Sequence, residues 1–205
     1  MSAIALLSAS PAKPRPAWLP TELLLAAAAW PAPVSVLQPV FHADFVQTPP
    51  LFEGRAVGHN PRPHPDYGIA ETLWHIISKD DFVFDARLRR KVKQRVFDTA
   101  RAKKLPWCKP VISQADAGNV SDVCVWEKLE DHGRTRIYCW LKAHDYIVIL
   151  ERQVNAQGSR SLLLITAFYV DYAQKRQEFE AAYQTYLSNK KAPHNEALAP
   201  STHGR

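Results

Sequence analysis

The fold is decided between Val123 and Asp171, in a run of strand-forming residues that ends with Leu162-Leu163-Leu164-Ile165-Thr166-Ala167-Phe168-Tyr169. Four stretches of this region are rich in β-branched and aromatic residues, and short turn-forming segments separate them. They span residues 120–128, 134–142, 145–153 and 161–171. We predict an antiparallel meander of four strands. The third strand should be central because it is apolar on both faces.

Helices are predicted on both sides of this meander along the chain. Apolar residues at helical spacing predict one helix at 69–79 and another in the most basic segment, 87–104. A short helix is also predicted at 21–30 and a long one at 172–189, whereas residues 41–45 alternate as a strand does. The sequence thus predicts an α+β protein in which N-terminal helices pack on a four-stranded antiparallel β-meander and a C-terminal helix follows.

Composition divides the chain of 205 residues into three parts. Residues 1–33 form a proline-rich N-terminal arm with the short helix, and residues 34–190 form a single α+β domain large enough to bury a core. Residues 191–205 are predicted to be a disordered tail. No internal repeat is visible.

Positive charge is concentrated in one segment. Residues 85–104 contain nine Lys or Arg and two Asp, a net charge of +7, while the whole chain carries +6. This concentration favours an acidic partner, and RNA or another nucleic acid is favoured over a membrane because no broad apolar stripe accompanies the basic one. Arg89, Arg90 and Lys93 are predicted to contact the nucleic acid.

The cysteines and motifs argue against metal and cofactor chemistry. Cys108, Cys124 and Cys139 are odd in number and lack the spacing of a metal site, which favours a reducing, cytoplasmic location. His59 and His64 lie in a proline-rich loop without a neighbouring set of carboxylates and cysteines. Because the chain also lacks a glycine-rich phosphate loop, we expect no metal and no cofactor.

The second strand of the meander carries a row of residues suited to nucleic acid. Arg134, Arg136, Tyr138 and Trp140 share one side of this strand by alternation. Guanidinium groups bind phosphate with two hydrogen bonds, and aromatic rings stack on bases. The row is equally consistent with an ordinary exposed sheet face. A third interpretation makes Tyr138, Trp140 and Trp126 the exposed anchors of a protein-interaction module.

Two further residues are candidates for chemistry. His75 lies on the polar stripe of its predicted helix, one turn from Glu71, and a histidine can accept or donate a proton near neutral pH. Thr166 interrupts the apolar run of the fourth strand. The simpler alternatives are a surface histidine and a threonine that merely favours a strand. Glu127 and Glu151 are the candidates for a second acid or base.

The order of elements resembles that of a nuclease superfamily. Helices come first, and the last strand of the meander carries Thr-Ala-aromatic, as in the small phage and toxin nucleases of the barnase/EndoU/colicin/RelE-like superfamily. The resemblance covers roughly residues 70–172. It is carried by Trp74-His75-Ile76-Ile77, Val125-Trp126-Glu127, Arg134-Thr135-Arg136-Ile137-Tyr138, residues 146–152 and Thr166-Ala167-Phe168-Tyr169.

The resemblance implies a hydrolase that cleaves RNA without metal, through attack of the 2′-hydroxyl on the adjacent phosphate. It implies that His75 is the acid or base, that Arg136 stabilises the phosphorane and that Thr166 positions the phosphate. It also implies an antitoxin or another protein partner. The alternative function is a non-catalytic module of phage origin that binds nucleic acid or protein, since a shared fold does not establish chemistry.

Overall fold

The computed structural model describes residues 14–25, 30–154, 158 and 160–191. The predicted α+β class is confirmed, with five α-helices and eight strands in these ranges. The helices are α1 (Val34–His42), α2 (Glu71–Ile77), α3 (Thr99–Lys103), α4 (Cys108–Asp116) and α5 (Ala173–Lys191). The strands are β1 (Leu51–Phe52), β2 (Arg55–Gly58), β3 (Ser78–Asp85), β4 (Arg90–Phe97), β5 (Cys124–Leu129), β6 (Thr135–Leu141), β7 (Tyr146–Val154) and β8 (Arg160–Tyr169).

The main sheet is larger than predicted and mixed. The four expected strands are β5 to β8, and each pairs antiparallel with the next. Two short strands extend this meander in the order β1-β2-β8-β7-β6-β5, and β2 runs parallel to β8. The predicted four-stranded antiparallel sheet is therefore wrong as a description of the whole sheet. Both extra strands are too short to show alternation, and they lie in a segment that its prolines mark as a loop.

Each face of the sheet is covered by different helices. On one face, α2 and α4 pack over Leu150, Leu164 and their neighbours. On the other face, α5 packs through Phe179 over the aromatic residues of β5 and β6. Strand β7 is central and buried on both faces up to Glu151, as its apolar sequence predicts. The predicted C-terminal helix is confirmed as α5.

The basic segment is a hairpin, so the predicted helix at 87–104 is wrong. Strands β3 and β4 pair along their whole length and make no strand pairing with the main sheet in the described residues. The Asp85 side chain accepts hydrogen bonds from the backbone N–H groups of Arg87 and Leu88, at 2.8 and 3.0 Å, and so closes a turn. The next helix along the chain is α3, and Asp98 caps its N-terminus by accepting a hydrogen bond from Arg101 N–H at 2.9 Å.

Three smaller predictions also differ from the structure. Residues 41–45 are not a strand, because Phe41 and Phe45 are both buried at the four-residue spacing of a helix, and α1 continues as a π-helix over Ala43–Gln47. The predicted helix at 69–79 is shorter, since Ser78 begins β3. Residues 21–25 of the predicted helix at 21–30 are not helical, and residues 26–29 lie outside the described ones.

The described part of the N-terminal arm packs on the domain. Leu19 is buried, and Trp18 donates its indole N–H to Asp122 at 3.0 Å. Residues of the predicted tail beyond Lys191 lie outside the described ranges. Within those ranges, no helix has both the length and the apolar character that crossing a bilayer requires.

Candidate active site

A cleft of about 460 Å³ opens where α2, the β3–β4 hairpin and α3 meet the end of β8. Three of the predicted site residues, His75, Arg136 and Thr166, all line this cleft. They come from a helix and two strands that are far apart in sequence. The fold therefore brings together the three residues that the sequence singled out.

Helix α2 reaches the cleft because it replaces β2 along the edge of β8. The pairing of β2 with β8 ends at Leu163. Beyond this point the Thr72 hydroxyl donates to the Leu164 carbonyl at 3.3 Å, and the Thr166 hydroxyl donates to the His75 carbonyl at 3.0 Å. The proton of Thr166 is thus already used. In this structure the hydroxyl of Thr166 holds the backbone of His75 in place, and its expected role in positioning phosphate stays a prediction.

The environment of His75 favours its neutral form. Burial, and then the charge of Arg95, lower the pKa of His75 below the ordinary value of 6.5, while Glu71 opposes this shift. The Nε2 atom lies 3.1 Å from Glu71 Oε1, one helical turn away. When the carboxylate accepts the Nε2 proton, the lone pair is left on Nδ1. His75 is therefore suited to accept a proton at neutral pH.

Two arginines of the cleft are fixed on the buried residue Ser78. The Ser78 carbonyl accepts hydrogen bonds from Arg95 at 2.9 Å and from Arg101 at 2.7 Å, and Ser78 Oγ accepts a third from Arg95 Nε at 3.1 Å. The guanidinium of Arg101 also lies 5.1 Å from the ring centre of Phe168. Burial lowers the pKa of both arginines, yet arginine stays charged in proteins. These fixed cations can stabilise negative charge without reorganising.

The carboxylates of the cleft leave an excess of positive charge. Four cationic side chains line it (Lys79, Arg95, Arg101, Arg136), against three carboxylates (Asp80, Asp98, Asp171). Asp98 lies 3.0 Å from the Lys79 ammonium. Burial alone would raise the pKa of Asp98, but hydrogen bonds from Arg101 N–H and Lys79 outweigh it and hold the pKa below its usual value. The excess of positive charge among the lining residues is thus a single charge, and Glu151 pairs with Arg136 from outside the lining.

Of the two candidate glutamates, neither lines the cleft. Glu151 is buried, and its carboxylate forms an ion pair with Arg136, at 3.6 Å from Nε. Glu127 lies on the opposite face of the sheet from Arg136 and bonds to Arg152. Glu127 is therefore not brought together with His75, Arg136 and Thr166 in the cleft.

The aromatic row on β6 is covered, which corrects two predictions. Tyr138 stacks on Trp126 with ring centres 5.0 Å apart, and both are buried beneath Phe179 of α5. Trp140 is completely buried in the same cluster. These residues can neither stack on bases nor anchor a protein partner. Arg134, the remaining member of the predicted nucleic-acid face, is exposed and lies 3.8 Å from Glu151.

The predicted contacts in the basic segment lie outside the cleft, on its hairpin. Arg89, Arg90 and Lys93 are exposed there. Sequence reasoning missed Arg95 and Arg101, because a predicted helix gave no reason to separate them from the surrounding cations. Asp98 was the signal in the sequence that could have revealed this. Aspartate is a preferred helix N-cap, so it indicates a helix that begins at residue 99 and not at residue 87.

Comparison with known proteins identifies no relative. No protein-family model, curated protein or solved structure matches the chain. The chemistry of the cleft follows from its own residues.

Proposed function

We propose that the protein is a metal-independent endoribonuclease of the phage or toxin type, acting on RNA by 2′-hydroxyl attack. One observation carries the proposal. A half-buried histidine with a lowered pKa, paired with a carboxylate, shares one cleft with three arginines. Intramolecular cleavage of RNA needs a proton acceptor beside fixed positive charge.

In the proposed reaction, His75 Nδ1 accepts the proton of the 2′-hydroxyl as its oxygen attacks the adjacent phosphorus. The bond from phosphorus to the 5′ oxygen breaks, and that oxygen takes a proton from water or from the exposed Tyr172 hydroxyl at the cleft. The products are a 2′,3′-cyclic phosphate and a 5′-hydroxyl. Glu71 orients the imidazole and stabilises its protonated form during the step.

Charge on the phosphorane is stabilised by the arginines. Arg95 and Arg101 are held by the Ser78 carbonyl, and Arg136 of β6 is held by its ion pair with Glu151. Such preorganised donors commonly supply several kcal/mol of transition-state stabilisation. We assign binding of the phosphate to these three residues.

The proposed setting is the cytoplasm, with RNA as substrate and an antitoxin as a protein partner. The three cysteines are free and buried, which fits a reducing compartment. A non-catalytic nucleic-acid-binding module is the second candidate. It is favoured by the exposed β3–β4 hairpin, whose residues 86–97 contain six Lys or Arg and no carboxylate.

The test is RNA cleavage in EDTA by the wild type and by His75→Ala. We expect the variant to cleave at least about 10²-fold more slowly, which is the scale of general acid–base catalysis. His42→Ala is the matched control, because His42 is exposed and lies outside the cleft. Equal cleavage by His75→Ala would remove His75 from the mechanism. Binding of RNA without cleavage by the wild type would favour the second candidate.

A further inference from the structure

The β3–β4 hairpin exposes aromatic and cationic residues on one face. Phe82 and Phe84 are 66% and 64% exposed, which is unusual for phenylalanine. In the strand register Phe82 lies opposite Lys93, and Phe84 lies opposite Lys91. Residues directly opposite each other point to the same side of an antiparallel pair. These four residues therefore form one surface, here called the Phe/Lys face.

The Phe/Lys face leads into the cleft. The next pair along the same side of the hairpin is Asp80 with Arg95, and both line the cleft. Asp80 also lies 2.9 Å from Lys93, so the face and the cleft are joined by an ion pair. A strand lying on the Phe/Lys face would thus enter the cleft beside Arg95.

We propose that the Phe/Lys face is a track for single-stranded nucleic acid, with Phe82 and Phe84 stacking on successive bases and Lys91 and Lys93 contacting the phosphates between them. The two rings are about 7 Å apart along the strand, from a rise of about 3.4 Å per residue. Aromatic side chains beside a basic groove are the usual means of binding single strands without sequence preference. The proposal rests on the proposed function only in taking RNA as the strand.

Charge selects a nucleic acid over a protein as the occupant. The hairpin over residues 78–97 carries seven Lys or Arg against three Asp, a net charge of +4, and its turn and β4 contain no carboxylate. A protein partner, or a second copy of this basic chain, would have to supply the opposite charge. A phosphate backbone supplies it at every nucleotide.

The experiment measures fluorescence anisotropy of a labelled single-stranded 2′-O-methyl oligonucleotide of mixed sequence, which cannot be cleaved by 2′-hydroxyl attack. Each stacked base strengthens binding about fivefold or more, so F82A/F84A should bind at least about 25-fold more weakly. K91Q/K93Q should make log K fall less steeply with log salt, by roughly 1.4 in slope, because each phosphate contact to a single strand contributes roughly 0.7. Val83→Ser is the matched control, because Val83 lies on the opposite side of the hairpin.

Other outcomes would overturn the track. Wild-type affinity in F82A/F84A, with an unchanged unfolding midpoint, would show that the rings do not stack on bases. No binding of any single strand would have the same meaning. Self-association of the wild type that F82A/F84A abolishes, with unchanged oligonucleotide affinity, would make the face a protein interface.

The track and the nuclease can fail separately. His42→Ala should bind the 2′-O-methyl strand as tightly as the wild type, because His42 lies on α1, outside both the cleft and the Phe/Lys face. Tight, Phe-dependent binding without cleavage of ordinary RNA would support the track and refute the nuclease. RNA cleavage by the wild type with a KM that F82A/F84A leaves unchanged would support the nuclease and refute the track.

Discussion

Replacing Ser78 by alanine should destabilise the protein strongly for a single oxygen atom. Ser78 is fully buried, and its hydroxyl donates to the Trp74 carbonyl while accepting a hydrogen bond from Arg95 Nε at 3.1 Å. A neutral buried bond contributes about 1 kcal/mol, and one to a charged group about 1.5–3 kcal/mol. The variant should therefore lose about 2.5–4 kcal/mol. The lower end is favoured because Arg95 keeps its bonds to two backbone carbonyls.

The assay is urea unfolding followed by tryptophan fluorescence, with Ser113→Ala as the control. Ser113 also bonds the carbonyl four residues before it, Lys109 O at 3.1 Å, but it is exposed. Its replacement should change stability by no more than about 0.5 kcal/mol. Equal unfolding midpoints for the two variants, with unchanged slopes, would show that the Ser78 hydroxyl does not stabilise the fold through Trp74 and Arg95 as argued.

Three further predictions concern the core and the site. Phe179→Ala should lower the free energy of unfolding by about 3–5 kcal/mol, because it opens a cavity over the buried aromatic rings. Leu129→Ala, at an exposed position, should lower it by less than about 0.5 kcal/mol in the same urea assay. The pKa of His75, measured by NMR, should lie below 6.5, and Glu71→Gln should lower this pKa further. Because the unfolded chain binds the His75 proton more readily than the folded one, the free energy of unfolding should decrease as the pH falls below 6.5. A His75 pKa of 6.5 or higher would refute this prediction. Thr166→Val should cost about 1 kcal/mol, because a second donor to the His75 carbonyl remains, and a loss above about 3 kcal/mol would contradict that role.

The meander was predictable because its signal is local. Strand β7 is apolar at every position from Tyr146 to Leu150, and its neighbours are joined by short turns. The β3–β4 hairpin was not predictable, because Leu88, Val92 and Val96 fit the apolar stripe of a helix as well as they fit a strand. What decided between them was the Asp85 turn and the Asp98 cap, each a single side chain.

The site was predictable in its members more than in their roles. His75, Arg136 and Thr166 do share a cleft, yet the partner that uses the Thr166 hydroxyl lies 91 positions away. Alternation placed Tyr138 and Trp140 on one face correctly, but it carries no information on which face a later helix covers. That cover is supplied by α5, whose contact with β5 is non-local.

The central claim, RNA cleavage by 2′-hydroxyl attack, is tested most directly with a DNA oligonucleotide that contains a single ribonucleotide, incubated with the wild type in EDTA. We predict cleavage only at the phosphate that follows the ribonucleotide, leaving a 2′,3′-cyclic phosphate and a 5′-hydroxyl. A fully deoxy oligonucleotide of the same sequence should stay intact. Cleavage of the deoxy strand, or no cleavage of either strand or of ordinary single-stranded RNA, would contradict the proposed mechanism.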